Sequence, residues 1–484
     1  MRCHKKENSM RIIGRREEQH ELERYARSDK SELVCVYGRR RVGKTWLIEQ
    51  TFSDGFAFRA TGVEEGNTRQ QLKSFHQRLV EYGDTTRTIP RDWFEAFSRM
   101  EKLLQREDVL RSAYGKRIVF LDEFPWFDTE RSDFLMAFGE FWNRCGTAGG
   151  DYLFIICGSA TSWIIEKVLE NSGSLYHRVT GQIFLSPFSL RETEQFFRDK
   201  EFDWSYAQIA ECQMVFGGLP FFLDLLHRDE SLSQNIDRLC FRPHALLRDE
   251  SSRLLEATLK KSPVYERILS FLSLHRYGVK RQECFEALNI SKGSFERAVD
   301  DLVKCDYIRK FKKMHEIRKP IYLRLVDPFL LFHYYFLSGE AKEEVTSFTA
   351  YMHDKARYSN WRGTAFELLC LYHVNAIKRA LGIAGVRTTE YAWSSRKKKN
   401  GAQVDLVIER DDGITDLCEM KFTDRPYEIT ATYESSLLNK EDVFREETKT
   451  KNRLRLVMIS AAGLAGVAHT EHIAQVLTLQ DLFE

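Results

Sequence analysis

Apolar and polar positions change period several times along the chain, and each change marks a predicted element. Leu33-Val34-Cys35-Val36-Tyr37 is an unbroken apolar run of buried-strand length. A glycine-containing stretch, 38–45, follows it, and Trp46-Leu47-Ile48-Glu49-Gln50 then continues without a helix breaker. The order strand, loop, helix is therefore expected there. Before it, Arg11-Ile12-Ile13-Gly14-Arg15-Arg16-Glu17-Glu18 leads into a helical pattern with Leu22, Tyr25 and Ala26. After it, Phe75, Leu79, Phe94, Phe97, Met100, Leu103 and Leu104 recur at helical spacing and read as core. Two more strands are expected at Ile118-Val119-Phe120-Leu121, ending on Asp122-Glu123, and at 152–157, ending on Gly158-Ser159-Ala160-Thr161. Gly217-Gly218-Leu219-Pro220 breaks one helical region and starts another.

The second half changes character. Pro263 opens a helix with Ile268, Leu269, Phe271 and Leu272 on one side; 281–288 and 295–305 read as two more, separated by a turn at 290–294. Residues 307–311 and 321–326 alternate like a hairpin. Asp327-Pro328-Phe329 ends this segment, and the aromatic-rich helix after it reads as core. Further on, Gly363-Thr364-Ala365-Phe366-Glu367 starts a helix, and 401–408 and 416–422 read as adjacent strands carrying Asp405, Glu419 and Lys421.

Length and composition bound this picture. A chain of 484 residues implies roughly three domains, and 43% hydrophobic with 30% charged residues describes a soluble globular protein. Net charge is +2, so attraction to nucleic acid has to come from local patches. The ten cysteines include no C-x-x-C pair, which suits reduced thiols in a cytoplasmic setting. The polar start, Met1 to Asn8, lacks the apolar core of a signal peptide, and no apolar run approaches the ~20 residues of a membrane span. No membrane is expected as a partner, and a homo-oligomer stays open. No zinc-type His pairing, G-x-S-x-G elbow or recognisable cysteine nucleophile appears.

The stretch Gly38-Arg39-Arg40-Arg41-Val42-Gly43-Lys44-Thr45 fits the P-loop pattern. Glycines let the backbone come close to phosphate, and successive N–H groups form an anion nest leading into a helix N-terminus. Gly38 to Thr45, with Trp46 behind them, are the expected ATP-binding set; Lys44 would reach the β- and γ-phosphates and Thr45 would ligate Mg²⁺. An acidic residue ending a buried strand is costly unless it meets a cation, so Asp122 is expected to hold Mg²⁺ and Glu123 to act as general base on the attacking water. Ser159 is placed to sense the γ-phosphate, with Thr161 as second choice; capping of the following helix suits the same residues. Arg178 is a candidate γ-phosphate arginine, from its own or a neighbouring chain, and a structural ion pair is the other reading. The segment 11–18 is either packed on the adenine, as in many P-loop ATPases, or an ordinary first helix.

The ordered set of the P-loop, Phe120-Leu121-Asp122-Glu123-Phe124, Gly158-Ser159-Ala160, Leu185-Ser186-Pro187-Phe188-Ser189 and Gly217-Gly218-Leu219-Pro220 resembles the archaeal-type P-loop ATPase family, related to AAA+ and signal-transduction (STAND) ATPases. The resemblance spans residues 11 to about 230. It implies a five-stranded parallel sheet, a helical subdomain behind it, and Pro220 near the nucleotide.

The three middle helices and hairpin resemble a winged helix-turn-helix. Residues 304–319 carry seven Lys or Arg against two acidic residues, a charge that suits DNA phosphates. A solvated hairpin on an interdomain spacer is the other reading.

In the C-terminal region alternation puts Glu419 and Lys421 on one face, and an adjacent antiparallel strand would set Asp405 beside Glu419. Two carboxylates make a hard-oxygen site for Mg²⁺, and a lysine beside it can orient a water or neutralise phosphate charge. Glu367 would add a ligand or proton acceptor. The order Glu367, Asp405, Glu419-x-Lys421 resembles the PD-(D/E)XK nuclease superfamily, and such a region is expected at the end of archaeal-type ATPases. Arg396-Lys397-Lys398-Lys399 would hold a nucleic-acid backbone or form a solvated loop.

The expected fold class is α/β: a P-loop parallel-sheet ATPase core at 11–195, a helical subdomain at 196–258, a winged helix-turn-helix at 259–340 and an α/β restriction-endonuclease-like domain at 341–484. Two functions fit. One is an ATP-hydrolysing enzyme acting on DNA, with a Mg²⁺-dependent nuclease at Asp405, Glu419 and Lys421. The other is a nucleotide-controlled DNA- or partner-binding switch whose C-terminal domain is non-catalytic.

Overall fold

A strand buried on both faces needs an apolar residue at nearly every position, and β1 (Glu32–Tyr37) meets that condition along almost its whole length. It belongs to a computed structural model that describes residues 12–484 apart from 147–150, 171–174, 176, 260–261, 313–319, 339–346, 354, 396–400 and 467. The polar start, Arg11, the tip of the 304–319 hairpin and the cation run 396–399 lie outside the described residues.

Two compact units emerge: 1–187 with 256–260, and 188–255 with 261–484. The first holds β1, β2 (Phe58–Thr61), β3 (Arg117–Asp122), β4 (Tyr152–Gly158) and β5 (Gly181–Phe184). They form a parallel five-stranded sheet in the order β2-β3-β4-β1-β5. Because all strands run the same way, their C-terminal ends share one edge. The chain order jumps from β1 to β4 across that edge, which is where open α/β sheets leave a crevice. One side is covered by helices Thr68–Glu81, Trp93–Leu104 and Phe134–Cys145. Their apolar faces meet in a buried aromatic cluster of Phe75, Trp93, Phe97, Phe134, Phe138 and Phe141. The expected core residue Phe94 only half-buries against it. β2 was not expected: four residues, with Phe58 and Ala60 buried, are too short a run for period reading.

Helix Leu190–Asp199 belongs to the second unit. That unit continues through helices Tyr206–Phe216 and Pro220–Asp224. Helices Pro263–Ser273, Arg281–Leu288 and Lys292–Lys304 follow. The last starts within the expected turn, capped by Ser291 Oγ on the Ser294 N–H. With them is an antiparallel sheet of β6 (Val279–Lys280), β7 (Ile308–Lys312) and β8 (Ile321–Leu325), ordered β6-β8-β7.

The C-terminal sheet holds β9 (Thr388–Ser394), β10 (Gln403–Arg410), β11 (Ile414–Lys421), β12 (Arg453–Ser460) and β13 (Ile473–Leu477), in the order β13-β12-β11-β10-β9. β10 pairs antiparallel with both neighbours, and Gly413 takes the positive φ of 81° that the β10–β11 turn requires. β11 and β12 are parallel, so a crossover is needed, and helix Ala431–Thr448 supplies it.

Gly38 has no room for a side chain: a Cβ would stand 2.4 Å from the Leu185 carbonyl oxygen. Gly38→Ala is expected to shift the loop and destabilise the first unit by roughly 1–3 kcal/mol. A urea-denaturation midpoint equal to wild type would contradict this.

Candidate functional site

The loop between β1 and helix Lys44–Thr51 opens the site. Gly43, with φ 89°, turns the chain into the helix, and space lies open where its Cβ would be. Lys44 is 5% exposed, and its Nζ donates to the carbonyls of Gly38 and Arg39 at 2.9 Å each and to Ser159 Oγ at 3.1 Å. Ser159 Oγ in turn donates to Glu123 Oε1 at 3.0 Å, and its N–H to Glu123 Oε2 at 3.3 Å. One hydroxyl thus links the loop lysine to the candidate base. The sheet order explains how: β4 lies between β1 and β3, so its end residue reaches both.

Thr45 Oγ1 donates to Asp122 Oδ2 at 3.0 Å, and the Glu123 N–H donates to Asp122 Oδ1 at 2.9 Å. Glu123 sits in the left-handed region, φ 45°, which turns its carboxylate to Ser159 rather than along β3. Burial lowers the Lys44 pKa, with Cys157, Glu123 and Asp122 pulling the other way. Burial, then the Glu123 charge, raises that of Asp122. A buried ammonium held by neutral acceptors is suited to an anion. Two neighbouring carboxylates beside a hydroxyl are a hard-oxygen set that suits Mg²⁺. Arg15 was not singled out as a site residue from sequence. It is 5% exposed and donates to Ser186 O at 2.6 Å and Val42 O at 3.4 Å, tying the segment before the first helix to the loop. Within the loop Arg39 is buried and Arg40 pairs with Glu64 at 3.5 Å; Trp46, in the helix, is half-buried.

Thr161, Arg178 and Pro220 are the other expected nucleotide contacts. Thr161 is buried and donates to Ser159 O at 3.4 Å, the local bond of a helix start. Arg178 is half-buried in a turn, its N–H on Leu175 O at 3.0 Å. Pro220 is the first residue of its helix in the second unit, after Gly217 and Gly218, both at positive φ.

A second cluster lies on the C-terminal sheet. The β10–β11 register pairs Leu406 with Cys418, which sets Asp405 across from Glu419. Asp405 Oδ2 accepts the Met420 N–H at 3.1 Å. Glu419 Oε1 accepts from Lys421 Nζ at 3.0 Å and from Tyr433 Oη at 2.9 Å; Oε2 accepts from Lys440 Nζ at 2.5 Å. Asp405, Glu419 and Lys421 therefore converge. Burial, then the Glu419 charge, pushes the Asp405 pKa up to about 6. Burial also works to raise that of Glu419, but Lys440 and Lys421 outweigh it and hold the group ionised. Asp405 and Glu419 are two hard-oxygen donors of the type that could hold a divalent cation. Among the described residues no cluster of three metal-ligating side chains occurs. Tyr433 and Lys440 were missed from sequence, because nothing local marks a helix that returns to a strand residue 14 and 21 positions earlier.

Glu367 departs from expectation. Its carboxylate, 3% exposed, is taken up by Arg276, with Nε on Oε2 at 3.0 Å and a second guanidinium nitrogen on Oε1. A buried carboxylate on a helix needs a cation, and the module containing β6–β8 provides one. Nearby, burial and then Arg276 push the Arg324 pKa down to about 10, with Asp405 acting the other way.

Residues 13–226 match the model of a family described as an ATPase domain predominantly from Archaea. The chain thus carries an archaeal-type ATPase domain on a parallel five-stranded α/β sheet, and nucleotide is the ligand that family implies for the loop. An uncharacterized protein of Methanocaldococcus jannaschii is 22% identical over 358 residues, 74% of this chain and 75% of that protein. An uncharacterized ATP-binding protein of the same organism is 50% identical over 39 residues, 8% of this chain and 66% of that protein. Among solved structures, the Walker-type ATPase of Pyrococcus abyssi is similar at a TM-score of 0.49 and 18% identity, over 67% of this chain and 96% of that one. The ORC2 protein of Aeropyrum pernix is similar at 0.43 and 15%, over 67% and 93%. Among the described residues no helix is long and apolar enough to cross a membrane.

Two outcomes are expected. Ser159→Ala breaks the link from Lys44 to Glu123 and lowers kcat for ATP by about 10–100-fold, with nucleotide affinity little changed; steady-state hydrolysis and equilibrium binding separate the two. For Asp405 the folded pKa of about 6 exceeds the ordinary value of 3.8 for this carboxyl. Between those values the folded chain holds the extra proton, so its stability falls as pH rises through the window. Asp405→Asn removes that dependence. It is expected to gain stability relative to wild type above about pH 6 and none below about pH 4, by urea denaturation across that range.

Proposed function

We propose that the chain is an ATP-hydrolysing switch acting on DNA, with an ATPase core at 11–195, a helical subdomain at 196–258, a winged helix-turn-helix at 259–340 and a nuclease-like domain at 341–484. The Lys44–Ser159–Glu123 chain of hydrogen bonds carries the reading of hydrolysis. In it, Gly38 to Trp46 wrap the phosphates and Lys44 leaves the Gly38 and Arg39 carbonyls for the β- and γ-phosphate oxygens. Ser159 then reports the γ-phosphate to Glu123, which orients and deprotonates the attacking water. Thr45 and Asp122 would hold Mg²⁺, whose charge offsets that of the phosphates. Arg178 is the candidate donor to the γ-phosphate, and Pro220 a candidate nucleotide contact, as the family resemblance implies. The name of the short M. jannaschii relative, an ATP-binding protein, agrees with the nucleotide assignment.

The convergence of Asp405, Glu419 and Lys421 supports phosphodiester cleavage as the output. There Asp405 and Glu419 would hold the divalent cation, and Lys421 would orient water or steady the phosphate. Helix Lys292–Lys304 and the basic β7–β8 hairpin are the proposed DNA contacts. The second reading, a binding switch without cleavage, is favoured by two observations: Arg276 occupies Glu367, and three donors already contact Glu419.

ATP turnover and Mg²⁺-dependent cleavage of assorted DNA and RNA forms decide between them. Lys44→Ala is expected to lose at least about 100-fold in ATP turnover. Asp405→Ala and Lys421→Ala are expected to lose cleavage by a similar factor while keeping ATPase activity. Cleavage equal to wild type in both variants would remove the nuclease. A wild type that binds DNA in an ATP-dependent way without cutting it establishes the second reading.

A further inference from the structure

Helix Ala431–Thr448 brings two side chains to the carboxylate pair. Tyr433 and Lys440 are seven residues apart, two helical turns, and so lie on one face. Their contacts with Glu419 are not equivalent. Oε1 is held twice, by Tyr433 and by Lys421, and the Lys421 ammonium also lies 5.1 Å from the centre of the Tyr433 ring. Oε2 has Lys440 as its hydrogen-bond partner. Asp405, across the strand pair, is braced by the Met420 N–H on Oδ2. A divalent cation shared by Asp405 and Glu419 has to take a Glu419 oxygen, and the less encumbered one is Oε2. The Lys440 ammonium stands on it.

We propose that Lys440 is the exchangeable counter-ion of this site. It neutralises Glu419 until a divalent cation takes Oε2, and it then turns its ammonium to a phosphate oxygen of a bound nucleic-acid strand. This rests on the reading of Asp405 and Glu419 as a cation site. Two features set it apart from a purely structural ion pair. Glu419 keeps Lys421 and Tyr433 when Lys440 leaves, so no buried carboxylate is stranded. The lysine stem is flexible and its side chain keeps 15% exposure, which leaves the head a path to solvent.

The test is Mn²⁺ binding to the full nucleotide-free chain, read by electron paramagnetic resonance, for wild type, Lys440→Gln, Lys440→Arg and Asp405→Asn. Removing the competing ammonium is expected to tighten Mn²⁺ about tenfold in Lys440→Gln. Lys440→Arg keeps the charge and should bind as wild type does, and Asp405→Asn should lose the site. Lys440→Met, which retains most of the stem, gives the same comparison should the Gln variant fail to fold by circular dichroism. Equal affinity in wild type and Lys440→Gln, with the site still lost in Asp405→Asn, overturns the counter-ion role and leaves the cation site standing. Mn²⁺ binding that Asp405→Asn does not alter, or no Mn²⁺ binding at all, overturns the cation site and the proposal with it.

Discussion

The first unit is arranged around a buried ammonium. Removing Lys44 from water costs several kcal/mol unless acceptors replace the lost hydration. Two loop carbonyls and one hydroxyl do so, each within 3.1 Å. Those acceptors are neutral, so the charge itself stays uncompensated by direct contact, and the site favours an anion. The geometry that makes this possible is set by the sheet. With β4 between the loop strand and β3, Ser159 stands where it can accept from the lysine and donate to Glu123. Thr45 and Asp122 are brought together by the same edge.

The second unit solves a similar problem with the opposite sign. Asp405 and Glu419 are buried on adjacent strands, and like charges so placed cannot both be ionised without help. Two lysines and a tyrosine meet Glu419, while Asp405, with one backbone N–H, is left with a raised pKa. Glu367 is handled separately by Arg276. Each of these carboxylates therefore has its own electrostatic solution.

What could be read from the sequence was local. The P-loop glycines, the strand before them, and the acidic and serine ends of the later strands are each defined within a few residues, and all stand where the pattern puts them. Asp405, Glu419 and Lys421 could be placed together because strand alternation and one hairpin suffice. What could not be read depends on distant returns of the chain. β2 and β6 are too short to carry a period. Tyr433 and Lys440 reach Glu419 through a crossover helix, and Arg276 reaches Glu367 from 91 positions away. Arg15 belongs to the same class: its segment was noticed, but its bond to Ser186, 171 positions on, has no sequence signal.

The proposed role of Glu123 as general base is the point on which the rest depends, and single-turnover measurement on Glu123→Gln addresses it most directly. The amide keeps the shape and the Ser159 hydroxyl contact but cannot take a proton. ATP should therefore bind with wild-type affinity while the hydrolysis step slows by about 100-fold or more. Single-turnover hydrolysis at the wild-type rate would contradict the assignment of Glu123 as the base.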